Sequence, residues 1–189
     1  MKGTLLRPRE FFRAESGASD LRSAVLWFLA CGWLGGAFAY LYEVSDVLGS
    51  STPAIPDPLH DMILASARNP DRARALLVGL DPLLLLVQSV LYALVVHGLL
   101  RFFGGATATA RATLRALLYA QTSAFVLLVV PKVGFVLGMI WSFVFTIVGV
   151  AETHRAHPGR VVPAVVGAQC ALGAAIFALV GLLGRAGTG

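Results

Sequence analysis

RATLRALLYAQTSAFVLLVVPKVGFVLGMIWSFVFTIVGVA, residues 111–151, decides the fold. Between Ala116 and Val150 the only full formal charge is Lys132. A continuous helix of this length would extend roughly 60 Å, about twice the hydrocarbon thickness of a bilayer. One span is therefore excluded. Pro131-Lys132 lies near the middle, and proline lacks the amide hydrogen that a continuing helix needs. The stretch reads as two membrane helices, about 112–130 and 133–151, folded back through a very short turn. On the second, Gly134, Gly138, Ser142, Phe145 and Gly149 share one stripe. Gly134 and Gly138 form a GxxxG that permits close backbone packing. Trp141 lies near the middle of this helix, where its indole N–H is expected to find a partner inside the bundle.

The surrounding composition agrees. The chain has 189 residues, 57% hydrophobic and 13% charged, with a mean hydropathy of +0.78 and a net charge of +5. Such a balance excludes a soluble globular domain and predicts an all-α, integral membrane bundle. The basic residues are scattered between apolar runs, so topology accounts for them better than nucleic acid does.

Taken in order, residues 1–20 form a polar N-terminal segment in which Pro8 is suited to begin a short interfacial helix. Phe11 and Phe12 would enter the headgroup region, flanked by Arg7, Arg9 and Arg13. The membrane domain, 21–184, opens with a span over about 21–42, with Ser19 or Asp20 as its N-cap. Ala37-Phe38-Ala39 imitates a signal-peptidase site, yet the long polar leader favours a retained span. A linker follows to Val78, in which Leu59, Met62, Ile63 and Ala67 keep the spacing of an amphipathic segment. Asp81-Pro82 reads as N-cap and first residue of a second span, about 81–100. The fifth covers about 161–183. Glu43, Asp46 and Asp81 gather carboxylates at one face, where they cap helices or bind a cation. Cys31 and Cys170 fall inside spans, in no metal-ligating or redox spacing.

Positively charged residues set orientation. Lys2, Arg7, Arg9, Arg13, Arg22, Arg101, Arg111, Arg115, Arg155 and Arg160 fall on the first face, against Arg68, Arg72, Arg74, Lys132 and Arg185 on the other. The N-terminus is thereby expected to be cytoplasmic and the C-terminus external.

The ordered set Phe102-Phe103-Gly104-Gly105, Arg111, Arg115, Tyr119, Pro131, Gly134, Trp141, Gly149 and His154 resembles the Yip domain membrane proteins, named for interaction with Ypt/Rab GTPases. Pro8-Arg9-Glu10-Phe11-Phe12 resembles the opening of bacterial members. The resemblance implies a compact five-helix membrane domain. For the eukaryotic branch it also implies endoplasmic reticulum and Golgi membranes, vesicle traffic, Rab binding and frequent oligomers. The cytoplasmic segment here is only about 20 residues, so the chain is expected to follow the bacterial branch in the inner membrane, and Rab binding is not carried over. The family supplies no agreed catalytic residues to transfer.

Function is accordingly expected to be non-catalytic: a membrane protein that organises the bilayer, lipids or partner proteins, with homo-oligomers possible. Arg101, Arg111, Arg115, Arg155 and Arg160 form the candidate face for anionic lipid or a partner. His97, Glu152 and His154 form a candidate polar cluster at the same face. The alternative is a small channel or transporter, with Gln88, Gln121, Gln169, His97 and Ser142 along a polar route. No hydrolase, metalloprotease or phosphate-binding motif occurs, and no cofactor or metal is expected.

Overall fold

The protein is described from a computed structural model covering residues 8–15, 20–44, 70–130 and 133–186. These residues fold into six helices: α1 (Pro8–Glu15), α2 (Leu21–Val44), α3 (Pro70–Phe102), α4 (Ala110–Leu127), α5 (Gly134–His154) and α6 (Pro158–Ala186). Four contain segments long and apolar enough to cross a membrane: Leu21–Phe38, Gly79–Phe102, Val136–His154 and Pro158–Ala178. The chain is a helical membrane protein. α4, with 18 residues, is not among the four; it carries Arg111, Arg115, Gln121 and several hydroxyls. Its polarity is compatible with its place, because α4 is the helix against which α2, α3 and α5 all pack.

The interior inverts the pattern of a water-soluble protein. Small and hydroxylated side chains are buried, among them Ala24, Ala93, Ala120, Ala164, Ala168, Thr122 and Thr146. Large apolar ones face outward, such as Leu26, Leu94, Met139 and Phe177. Lipid tails are as apolar as leucine, so burying leucine brings little; close helix contact through small residues brings more. Two of the buried hydroxyls are satisfied within their own helix, Thr122 by the Leu118 carbonyl at 2.7 Å and Ser123 by that of Ala120 at 2.5 Å.

The hairpin is tight. A Cβ added at Gly138 would lie 3.0 Å from the Ala124 carbonyl oxygen, and one at Gly134 would overlap the Leu127 carbonyl oxygen. α4 and α5 therefore touch backbone to backbone along the GxxxG. Gly149, further along α5, receives the ring of Phe12 from α1. Phe12 is 1% exposed, and Phe11 meets Tyr119 edge to face at 5.3 Å. Phe12 is thus held between α4 and α5 instead of entering the headgroup region. A well-shaped protein pocket competes successfully with the interface for an aromatic ring.

The other helix boundaries follow from local chemistry. Asp20 caps α2, accepting from the Arg22 N–H at 2.9 Å and the Ser23 hydroxyl at 3.0 Å. Those bonds hold its carboxyl below the usual carboxylate range. Asp81-Pro82 does not begin a helix: α3 starts at Pro70 and runs through Pro82. Pro82 packs against α2, with Gly32 leaving room for it at 3.1 Å from where a Cβ would stand. A membrane helix tolerates the lost hydrogen bond when neighbours cover the site. Of the three carboxylates, Asp81 is exposed, the Glu43 side chain and Asp46 lie outside the described residues, as do Pro131, Lys132 and the amphipathic segment.

α5 ends on Arg155 in the left-handed conformation, φ 49°, ψ 36°, with the Ala156 N–H returning to the Ala151 carbonyl at 2.9 Å. A Cβ in that conformation costs on the order of 1 kcal/mol, which glycine avoids. Arg155→Gly is expected to raise the melting temperature in detergent by about 2–4 °C, a gain that Arg155→Ala does not give.

Candidate functional site

The C-terminal ends of α3 and α5 meet the N-terminal ends of α4 and α6, with α1 alongside. α3 closes through Gly104, at φ 67°, with the Gly105 N–H donating to the Leu100 carbonyl at 2.8 Å. Gly105 leaves no space for a side chain, since a Cβ would stand 2.8 Å from Leu100 Cδ1. Phe-Phe-Gly-Gly is thus a helix stop. Arg160, from the first turn of α6, donates to the Gly104 carbonyl at 2.7 Å and ties the two ends together.

His154 lies beneath this turn and is fully buried. Its Nδ1 accepts from the backbone N–H of Thr107 at 3.2 Å and of Ala108 at 3.1 Å. Backbone amides can only donate, so Nδ1 carries no proton and the ring is the Nε2–H tautomer. Nε2 then donates to Thr113 Oγ1 at 2.8 Å. The Thr113 hydroxyl proton is left for His97 Nδ1 at 3.0 Å or the Thr109 carbonyl at 3.4 Å. The Thr107 hydroxyl donates to the His154 carbonyl. One imidazole thereby fastens the α3–α4 turn, α4 and the end of α5.

The structure brings His97 and His154 together, with ring centroids 5.6 Å apart, through Thr113. Glu152 does not join them. It pairs instead with Arg13 of α1 at 3.1 Å, a partly exposed ion pair worth about 0.2–1 kcal/mol. Thr107 and Thr113 belong to the cluster and have no distinguishing local sequence signal; several nearby threonines are equivalent until the fold selects among them.

Of the five arginines on the candidate face, Arg101, Arg111, Arg155 and Arg160 are exposed, whereas Arg115 is buried at 8%. Around them the described side chains include Arg9, Arg13 and Arg22, against Glu10, Asp20 and Glu152. Positive charge is in clear excess at this end.

A cavity of about 610 Å³ opens between α2, α3, α4, α5 and α6. Gln88, Gln121, Gln169 and Ser142 all line it; His97 does not. Ser89 Oγ is 2.6 Å from the Leu85 carbonyl and 2.5 Å from the Gln121 amide. The hydroxyl has one proton, which serves Leu85 when the Gln121 NH₂ faces Ser89. Trp141 is 39% exposed, its ring tilted at 44° to that of the buried Phe145 with centroids 5.4 Å apart. Its indole has no hydrogen-bond partner among the described residues. The tryptophan with one is Trp33, which donates to the Gly79 carbonyl at 3.0 Å and joins α2 to α3. Cys31 and Cys170 are both free thiols, the first buried and the second exposed.

A family model described as the Yip1 domain matches residues 2–180. Comparison with curated proteins and with solved structures gave no match.

Proposed function

The chain belongs to the Yip1 domain family, and from that premise we propose that it is a non-catalytic integral membrane protein of the bacterial branch, which organises bilayer and partner proteins by gathering anionic lipid at its basic end. In this reading α4 also crosses the bilayer, as the third of five spans, protected by its neighbours. The basic end faces the cytoplasm from the inner membrane, the C-terminus is external, and copies of the chain associate through their lipid-facing helices.

The observation that supports the reading is the state of Arg101, Arg111 and Arg155. All three are exposed at one end of the bundle, and Glu152, one of the carboxylates at that end, is engaged by Arg13. A guanidinium near an anionic surface gains ~1 kcal/mol, about a fivefold preference for each site. Arg160, held on the Gly104 carbonyl, contributes field while serving the turn. Arg115 is covered by protein and has the smaller part.

The test is extraction of the protein with its surrounding lipid from membranes of equal phosphatidylcholine and phosphatidylglycerol. Phosphatidylglycerol is expected to be enriched severalfold over bulk. The triple variant Arg101→Gln, Arg111→Gln, Arg155→Gln is expected to return the ratio to that of bulk without changing helix content. An unbiased lipid shell around the wild-type protein would overturn the reading.

A further inference from the structure

The cavity lies at an unusual depth for polar groups. Gln88, Gln121, Gln169 and Ser142 stand roughly three to four helical turns from the basic helix ends, ~16–21 Å along the axes. In a bilayer with a ~30 Å core this is near the midplane. Polar side chains there are costly unless bonded, and the bundle bonds only some of them. Gln121 is engaged by Ser89, but the amides of Gln88 and Gln169 have no hydrogen-bond partner among the described residues. They stand exposed on α3 and α6, on the wall of an open space within the range of small-molecule sites.

We propose that this cavity binds a neutral lipid whose carbonyl groups reside within the hydrocarbon core, a molecule of the prenyl-quinone type. Three features select that class. No charged side chain is among the described residues lining the cavity, so a carboxylate, phosphate or amine would be buried without a counter-charge from them. The depth excludes the headgroup of a bilayer phospholipid, which would have to sink to the midplane. The amides supply N–H donors suited to carbonyl oxygens, while Phe125 and Phe143 supply apolar ring surface for the remainder. The opening between lipid-facing helices lets an isoprenoid tail remain among acyl chains. The proposal does not depend on anionic lipid at the basic end, since a different set of residues carries it.

The experiment uses the full chain in nanodiscs of zwitterionic phospholipid, with a decyl-substituted benzoquinone as probe and empty discs to measure partitioning. Decylbenzene, with the same tail and no carbonyl, and decanoate, with a charged head, are run beside it. Saturable retention of the benzoquinone alone, above empty discs, is the expected result. Gln88→Leu and Gln169→Leu are each expected to weaken it about 5–30-fold, the loss of one or two buried hydrogen bonds. Neither glutamine supports the fold through a hydrogen bond, so both variants should retain wild-type helix content and melting temperature. Equal retention of decylbenzene would show apolar filling only and overturn the proposal. So would equal retention of decanoate, retention no greater than in empty discs, or glutamine variants that bind as tightly as wild type.

Discussion

Gly134→Ala is expected to prevent correct closure of the α4–α5 hairpin, with loss of most folded protein. The added methyl would overlap the Leu127 carbonyl oxygen and come within 3.2 Å of Leu128 Cα. Those are main-chain atoms of the neighbouring helix, so no rotamer change relieves the contact. Only separation of α4 from α5 does, which opens the most extensive helix contact in the molecule. Overpacking a core costs about 1–3 kcal/mol where side chains can adjust; here the cost should exceed that range. Gly138→Ala, meeting the Ala124 carbonyl oxygen at 3.0 Å, should fall inside it. Gly98 and Gly173 have open space around them, and alanine there should be neutral or slightly stabilising because it favours helix. Monodisperse yield and melting temperature in detergent rank the four variants. A Gly134→Ala protein melting with Gly98→Ala would contradict the geometry.

His154→Ala is expected to have the second large effect. It strips an acceptor from two partly buried backbone N–H groups and a partner from the fully buried Thr113 hydroxyl. An orphaned buried group costs about 1–3 kcal/mol and deleting a fully buried ring leaves a cavity besides, so the loss is on the order of 3 kcal/mol. In a chain of this size that lowers the melting temperature by about 6–12 °C. His154→Asn separates the contributions. Its side-chain oxygen can stand near the place of Nδ1 and accept from Thr107 and Ala108, but it cannot reach Thr113. An intermediate melting temperature is expected, with protection of the Thr107 and Ala108 amides from hydrogen exchange retained. Equal exchange in the alanine and asparagine variants would show that Nδ1 does not hold the turn.

The apolar spans were legible because hydropathy over some twenty residues is a property of the segment alone. So was the α4–α5 fold-back, from length and one proline. Other features depended on partners distant in the chain. Asp81-Pro82 has the chemistry of a helix start, as does Pro70; Gly32 on α2 makes Pro82 tolerable inside a continuous helix. Trp33 and Trp141 look alike as residues in apolar runs. A carbonyl at Gly79 satisfies the first, while the second, exposed to a similar degree, has no hydrogen-bond partner among the described residues. The pairing of His97 with His154 was foreseeable from their shared face, but the departure of Glu152 required knowing that α1 brings Arg13 beside it. Thr113 was illegible for the same reason: its role exists only where α3, α4 and α5 meet. α4 is the clearest case. Its arginines and hydroxyls depress its hydropathy, and what permits them is the protein around it, which no reading of its own residues contains.

The docking of α1 also imposes an order in time. Arg13 and Glu152 are separated by 139 positions, and Phe12 rests on Gly149 at nearly the same distance along the chain. At ~5–20 residues per second, synthesis of the intervening chain takes on the order of 10 s. Throughout that interval the first-made aromatic segment has no Gly149 to receive it, and the face of α4 at Ala116 and Ala120 lacks the ring that later covers it. α1, made before the helices it packs on, is therefore among the last elements to settle, and its arrival marks the completion of the basic end.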